Sequence, residues 1–329
     1  MPGPERHNNP YLRHGGALEG DAPGEGGGAR EELARREAGS GLEVEIVDRS
    51  RGARSGPVAP VRLTFSDRFG FSCHKGISCW NACCRDTDIT LTPFDILKLS
   101  RTLDLRPAEF LRRFAVPAIW ERADLPVAKL RVADEEGGHK PCVFLDDEEG
   151  CTVYDDRPVA CRYYPLGLAA VKLKGHETPE DFYFLVEEDH CRGHAEPKQQ
   201  SVAEFRAEQG VEPYDLQNRG WIEILMKMTS WKTLGGPNGK APGERTKQMF
   251  FMATTDVDAF RRFVFETSFL ESYDVDPALA GRLGSDDEAL MRFAFDWLKH
   301  ILFNEAAVAL RRDVLQRAVA RARRDMGAG

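Results

Sequence analysis

The amino-acid sequence predicts an α+β protein in which a small cysteine-rich domain of short strands and helices precedes a mainly helical domain. All eight cysteines lie in about a third of the chain, and short apolar runs separated by turn residues surround them. Longer helical patterns follow. We therefore predict three parts: an arm (1–57), a cysteine-cluster domain (58–199) and a helical domain (200–329).

The N-terminal arm has a composition that is typical of disordered chains. It is rich in glycine and charged residues, and Tyr11 is its only aromatic residue. Such a segment buries too little apolar surface to offset the entropy lost on ordering. The alternation of apolar and charged residues over 42–47 predicts one short strand within it.

The cysteine-cluster domain contains signals for both strands and helices. Thr92, Pro93 and Asp95 occupy the N-cap, N1 and N3 positions of a predicted helix. A second short helix is predicted after Pro107, and a third is predicted after Asp156, where it carries Cys161. Strands are predicted over 61–65, 126–132, 142–145, 151–154, 167–174 and 181–188.

The third part of the chain reads as helical. Ser201, Thr255 and Ser285 each begin a pattern that resembles a helix N-terminus. The segment 286–303 shows the sharpest spacing of apolar residues at i, i+3 and i+4, which predicts an amphipathic helix. The run 247–255 is interpreted as a strand.

Composition and charge restrict the function classes. A net charge of −8 and an isoelectric point near 5.6 argue against bulk binding to nucleic acid or to an anionic membrane. The sequence shows neither a secretory signal nor an apolar run long enough to span a bilayer, so we expect a cytoplasmic protein without membrane association. The arginine-rich segment 311–325 favours a solvated helix face over a nucleic-acid surface.

The strongest functional signal is the set of eight cysteines. They are Cys73, Cys79, Cys83, Cys84, Cys142, Cys151, Cys161 and Cys191. Thiolates are natural ligands of zinc, iron and iron–sulfur clusters. Disulfides are disfavoured in a reducing cytoplasm, and adjacent cysteines lie too close to bridge to each other. Metal binding is therefore preferred over disulfides or unliganded thiols.

The spacing of the cysteines leaves the metal and the number of sites open. Neither the paired C-x2-C of a zinc ribbon nor the ferredoxin run is present. Two four-cysteine sites, or one site with four further thiols, agree with the count. We favour a site in which 73–84 is closed by thiols from 142–161. Cys83 and Cys84 serve it together only if the backbone turns there.

Zinc and iron remain the alternatives for the metal. Four thiolates close a structural zinc site, whereas an iron–sulfur cluster leaves chemistry open. Iron is slightly favoured because a bulky cluster tolerates irregular ligand spacing. Weaker candidate ligands are His74, His190 and His194. Three arginines are candidates for hydrogen bonds to thiolates, with surface ion pairs as the alternative: Arg85, Arg157 and Arg162.

These residues also resemble a known family. The spacing of Cys73, Cys79, Cys83 and Cys84, followed by LTPFDILKL, PCVFL and CTVYDDRPVACRYYP, is similar to that of the YkgJ-type cysteine-cluster family over residues 71–193. Its members are described as zinc- or iron-chelating proteins, which implies metal chelation by the matching cysteines. Cys191 matches the family pattern less tightly than the other seven.

Two function classes follow from this pattern. The first is a metal-binding protein without catalysis of its own. The second is an iron–sulfur-dependent enzyme that modifies a protein or peptide, resembling flagellin lysine N-methylase, with the C-terminal helices as the platform for a protein partner. The sequence contains neither a glycine-rich adenosyl-cofactor loop nor a C-x3-C-x2-C radical motif, which argues against methylase activity.

Overall fold

The structure, a computed structural model, describes residues 62–133, 140–171, 180–234 and 241–325. All of these belong to one compact unit, residues 45–329. The predicted arm (1–57) and its strand lie outside the described residues. The α+β prediction is confirmed, because short sheets accompany the cysteines and the C-terminal region is helical.

The strands of the described residues form four small antiparallel sheets. They are β1 (Arg68–Gly70), β2 (Thr90–Leu91), β3 (Ala115–Trp120), β4 (Leu125–Leu130), β5 (Leu145–Asp146), β6 (Gly150–Cys151), β7 (Leu166–Val171), β8 (Glu180–Leu185) and β9 (Gln199–Ser201). β1 pairs with β9, β4 lies between β2 and β3, β5 pairs with β6, and β7 pairs with β8. The sequence analysis missed β3, which contains Pro117 and lies at a sheet edge, where a missing N–H is tolerated.

Several predicted strands near the cysteines are shorter in the structure. The described part of 61–65 contributes an isolated bridge between Leu63 and Tyr183. The segments 142–145 and 151–154 contribute the small hairpin of β5 and β6 and an isolated bridge between Cys142 and Val132. Three other predictions are confirmed as β4, β7 and β8, namely 126–132, the described part of 167–174, and 181–188.

The helices surround these sheets and form the C-terminal region. They are α1 (Pro93–Thr102), α2 (Pro107–Phe114), α3 (Val159–Tyr163), α4 (Val202–Gln209), α5 (Glu212–Leu234), α6 (Glu244–Thr255), α7 (Val257–Phe265), α8 (Phe269–Ser272), α9 (Pro277–Ser285), α10 (Asp287–Phe303) and α11 (Arg312–Asp325). The predicted N-cap Ser201 is confirmed, whereas Asp256 and Asp286 replace Thr255 and Ser285 as caps of α7 and α10. Among the described helices, none is both long and apolar enough to cross a membrane.

The predicted strand over 247–255 is wrong, because this segment forms most of helix α6. Its buried residues Phe250, Ala253 and Thr254 follow helical spacing. The Thr254 hydroxyl donates to the Phe250 carbonyl at 2.8 Å, so the helix accommodates this β-branched residue. The helix packs against both β4 and α10, which explains why its apolar residues form a continuous run.

The hydrophobic core has two parts. The larger cluster joins the C-terminal helices to β1, β7 and α3, and includes the fully buried Trp297 and Tyr163. The smaller cluster lies between α1, α2 and β4, around Leu99 and Phe110. The larger cluster contains residues from both sides of the boundary that the sequence predicts at residue 200, and that boundary stays a prediction.

Asp95 links helix α1 to the short helix that carries Cys161. The predicted capping box is present: Asp95 Oδ2 accepts from the Thr92 N–H at 2.8 Å, and Thr92 Oγ1 accepts from the Asp95 N–H at 3.1 Å. Asp95 Oδ1 accepts from the Val159 N–H at 2.9 Å, at the start of α3. Burial raises the pKa of this carboxyl to about 6. One side chain therefore holds two helix N-termini together.

Replacement of Asp95 by alanine is expected to lower the free energy of unfolding by about 2–5 kcal/mol, because two buried N–H groups lose their acceptor. The matched control is Glu204→Ala, which alters the same position of an exposed capping box in α4. That change is expected to cost about 1 kcal/mol or less. Denaturant unfolding measures both values, and equal losses would contradict the linking role of Asp95.

The contribution of Asp95 also depends on pH. The folded chain raises its pKa from 3.8 to about 6, so the folded state binds this proton more strongly than the unfolded state. The resulting stabilisation is fully present below about pH 4 and is lost as the pH rises through about 6. The loss caused by D95A should therefore be greater near pH 4.5 than near pH 7.5. A loss that grows with pH would contradict this assignment.

Candidate metal centre

All eight cysteines line one cavity of about 480 Å³. Cys73 follows β1, Cys151 ends β6, Cys161 lies in α3, and the other five lie in turns and loops. Apolar residues from both core clusters complete the wall: Phe71, Phe205, Ile89, Leu130 and Phe144. The structure thus brings all the predicted ligands together. All of them lie in the described part of the chain, and no disulfide joins any two.

The adjacent Cys83 and Cys84 reach the same cavity because the backbone turns sharply there. They lie in a 3-10 turn (Ala82–Cys84) that follows Asn81, whose φ of 64° is left-handed. The Cys84 thiol donates a hydrogen bond to the Cys83 sulfur. This bond, together with burial, raises the pKa of Cys84 well above its usual range. The turn that a shared site requires is therefore present.

The two main cysteine segments are held together by main-chain contacts. The Cys142 N–H donates to the Cys84 carbonyl at 2.8 Å, across the long sequence gap between them. Gly150, next to Cys151, has a φ of 88°, and a Cβ there would lie 2.8 Å from the Trp80 ring. Only glycine combines this conformation with such a close approach at low cost. Backbone contacts therefore form a clamp between 73–84 and 142–161, the two segments whose thiols are predicted to share a site.

The thiols of the cavity repel one another when they ionise. Burial raises the pKa of Cys73 to about 11, and repulsion from Cys83 is the next cause. Burial likewise raises the pKa of Cys142 to about 11. These thiols hold their protons at neutral pH in the metal-free chain, so a metal ion must displace protons when it binds.

Cys83 lies within electrostatic reach of most of the other thiols. Its negative charge contributes to the raised pKa of five other cysteines: Cys73, Cys84, Cys142, Cys151 and Cys191. These five come from three stretches of the chain, namely 73–84, 142–151 and residue 191. Cys83 therefore has a more central position than Cys73, which is the most exposed of the eight.

Backbone N–H groups point at several of the sulfurs. The Arg192 N–H donates to Cys79 Sγ at 3.1 Å. Three further sulfurs accept from the N–H two residues later, which opposes the effect of burial on their pKa: Cys142 from Phe144, Cys151 from Val153 and Cys191 from Gly193. Such hydrogen bonds stabilise thiolates and tune the metal centres that thiolates hold.

The donor set fits a metal that prefers sulfur. Thiolates select zinc, monovalent copper and iron–sulfur clusters, and no residue of another type is needed to complete such a set. Among the described residues, however, no three His, Cys, Asp or Glu side chains already surround one metal-ion position. The fit therefore lies in the chemistry of the thiols and in the cavity that they share.

The histidines and arginines named from the sequence have different positions. His74 and His190 line the cavity, whereas His194 is not part of its lining. Of the three arginines, Arg85 forms an ion pair with Asp147. Arg162 donates hydrogen bonds to the Arg157 and Gln209 carbonyls, and Arg157 lines the cavity. The ion-pair alternative thus applies to Arg85, while Arg157 stays close to the thiols.

The cavity wall also contains residues that the sequence analysis did not single out. Lys198, Gln200 and Glu208 belong to it, although they follow the last cysteine and form no motif with it. The pairing of β1 with β9 brings them next to the segment that carries Cys73. Only this long-range pairing, which no local pattern announces, places them at the site.

Comparison with protein families agrees with this geometry. Residues 72–192 match the family model CxxCxxCC, which is described as a "putative zinc- or iron-chelating domain". The match includes all eight cysteines and confirms the resemblance to a cysteine-cluster family. The matched segment is less than half of the chain, and its similarity to this domain supports metal binding in general. No curated protein and no solved structure matches the chain.

Gly150→Ala is expected to lower the free energy of unfolding by about 1–3 kcal/mol, because alanine is strained at this positive φ and its Cβ clashes with the Trp80 ring. Metal content should fall as well, because Cys151 and the segment that carries Cys79 are forced apart. Gly281→Ala in α9 is the control, since nothing lies within 4 Å of its added Cβ. Denaturant unfolding and metal analysis measure both variants, and an unaffected G150A protein would contradict the proposed clamp.

Proposed function

We propose that thiolates from this set of eight cysteines hold an iron–sulfur centre in their shared cavity, with four thiolates to each cluster. The proposal rests on one cavity of about 480 Å³ that is lined by eight thiols. Among the described residues, no three potential ligands in it already surround a position for a single ion. A protein that binds such a centre is the function that this arrangement supports best.

Ligand geometry favours a cluster over a single zinc ion. A structural zinc site needs four ligand atoms at about 2.3 Å from one point. An iron–sulfur cluster instead divides its four thiolates among two or more iron atoms, so that thiolates on different irons stand apart from one another. Thiols distributed over the wall of a wide cavity suit the second arrangement. Hydrogen bonds from backbone N–H groups to sulfur are also a recognised means of tuning such clusters.

The same thiols support a reducing compartment. We propose that the protein works in the cytoplasm, where thiols stay reduced and available to metal. Exposure of Cys73 at the cavity mouth would make the thiols vulnerable to oxidation in an oxidising compartment.

A second candidate function is an iron–sulfur enzyme that acts on a protein or peptide. One observation favours it: the cavity continues past the thiols to Gln200, which is 4% exposed. Its Oε1 is buried and has no hydrogen-bond partner among the described residues, so a ligand that donates an N–H or O–H would satisfy it. On α11, Leu315 and Val319 are 50% and 44% exposed and offer apolar contacts to a protein partner.

Protein purified without oxygen is expected to contain iron and acid-labile sulfide, and to absorb visible light. Iron and sulfide assays, zinc analysis and an absorption spectrum test this directly. Zinc without sulfide would contradict the cluster and leave a zinc-chelating protein. The lack of any bound metal would contradict metal binding as a whole.

Cys83→Ser is expected to lose more metal than Cys73→Ser, because Cys83 lies near thiols of several segments and Cys73 lies at the exposed edge. Ser72→Ala is the control, since Ser72 lines the cavity without a thiol. Metal content and thermal unfolding are measured for all three variants. Equal metal content in the two cysteine variants would contradict the central position of Cys83.

A further inference from the structure

The basic residues around the cavity differ in their acidic partners. Five basic residues line it in the described part of the chain: His74, Lys75, Arg157, His190 and Lys198. Four of them lie within 4.0 Å of a glutamate, as the following pairs show: His74 with Glu196, Lys75 with Glu149, His190 with Glu188, and Lys198 with Glu208. Within the described residues, no carboxylate pairs with Arg157.

Arg157 is fixed in place by neutral groups. Its side chain is buried, with 9% of the residue exposed. Nη1 donates to the Tyr154 carbonyl at 2.7 Å, Nη2 donates to Gln209 Oε1, and the guanidinium stacks on the Tyr154 ring at 3.9 Å. These contacts orient the guanidinium but leave its positive charge uncompensated. A buried charge in that state is costly, so a counter-charge is expected nearby.

Thiols are among the groups that interact electrostatically with Arg157. Its partners are Tyr154 and the sulfurs of Cys73, Cys151 and Cys161, which come from the two segments 73–84 and 142–161. A divalent metal held by four thiolates keeps a net negative charge, because the thiolates outweigh the ion. The negative metal centre and the positive guanidinium therefore compensate each other's charge.

We infer that Arg157 stabilises the thiolate-bound metal centre through its positive charge. Its charge is available for this because, within the described residues, no carboxylate pairs with it. The inference rests on the proposed function, because it requires the thiols to bind metal. It differs from a purely structural role, in which the hydrogen bonds of Arg157 to Tyr154 and Gln209 are what matters.

Zinc titration of the metal-free full-length chain, against a competing chelator, tests the inference. Zinc alone is the probe, because it has no redox chemistry and binds thiolates. Arg157→Gln is expected to weaken zinc binding by about tenfold, while Arg157→Lys keeps the charge and stays within about threefold of the wild type. Gln209→Glu, which is nearly isosteric, places a carboxylate on the guanidinium and is also expected to weaken binding by about tenfold.

Arg85→Gln is the matched control, because it removes a cation next to Cys84 that already pairs with Asp147. It should bind zinc as the wild type does. If R157Q and Q209E bind zinc like the wild type, or if R157K binds it as weakly as R157Q, the inference is overturned while the proposed function stands. A wild type that binds no zinc also overturns the inference, whereas the iron and sulfide content of protein purified without oxygen decides the proposed function separately. Circular dichroism of each variant verifies that it is folded.

Discussion

Eight thiols share one cavity in which burial, and then repulsion between sulfurs, opposes their ionisation, and every other feature of the site acts against this cost. Burial and neighbouring sulfurs raise the pKa of Cys73 and Cys142 to about 11, so the metal-free cavity keeps its protons. Positive charge and hydrogen-bond donors are needed before these sulfurs become thiolates. Backbone N–H groups that donate to the sulfurs supply part of the hydrogen bonding, and the guanidinium of Arg157 supplies part of the positive charge. A bound metal centre supplies the rest.

The fold places this reactive cavity on a rigid support. Strands of two or three residues, such as β5 and β6, are marginal on their own. Only Cys151 lies in a β-strand and only Cys161 in an α-helix; the other six cysteines lie in neither. Stability comes instead from the two hydrophobic clusters on which the cavity wall is built. Asp95 adds a buried connection between α1 and α3, and Gly150 permits the close contact with Trp80. Metal binding would contribute further, because it couples to folding.

Local patterns in the sequence predicted the features that local physics determines. The capping box of Thr92 and Asp95 and the apolar stripe of 286–303 act within one helix each, and both were predicted. Helix α6 was misread because packing on two sides hides the helical period of its apolar residues. The cysteines indicate metal binding through their residue type alone. Gln200 was missed because the β1–β9 pairing that brings it to the cavity joins segments more than a hundred residues apart.

The central claim is that the thiols of one cavity bind one metal centre. X-ray absorption at the edge of the bound metal tests it most directly, because this method reports the type and distance of the ligand atoms. An iron–sulfur centre in this cavity should give a first shell made of sulfur at about 2.3 Å, together with a second shell of neighbouring metal atoms. A first shell dominated by nitrogen or oxygen would contradict it.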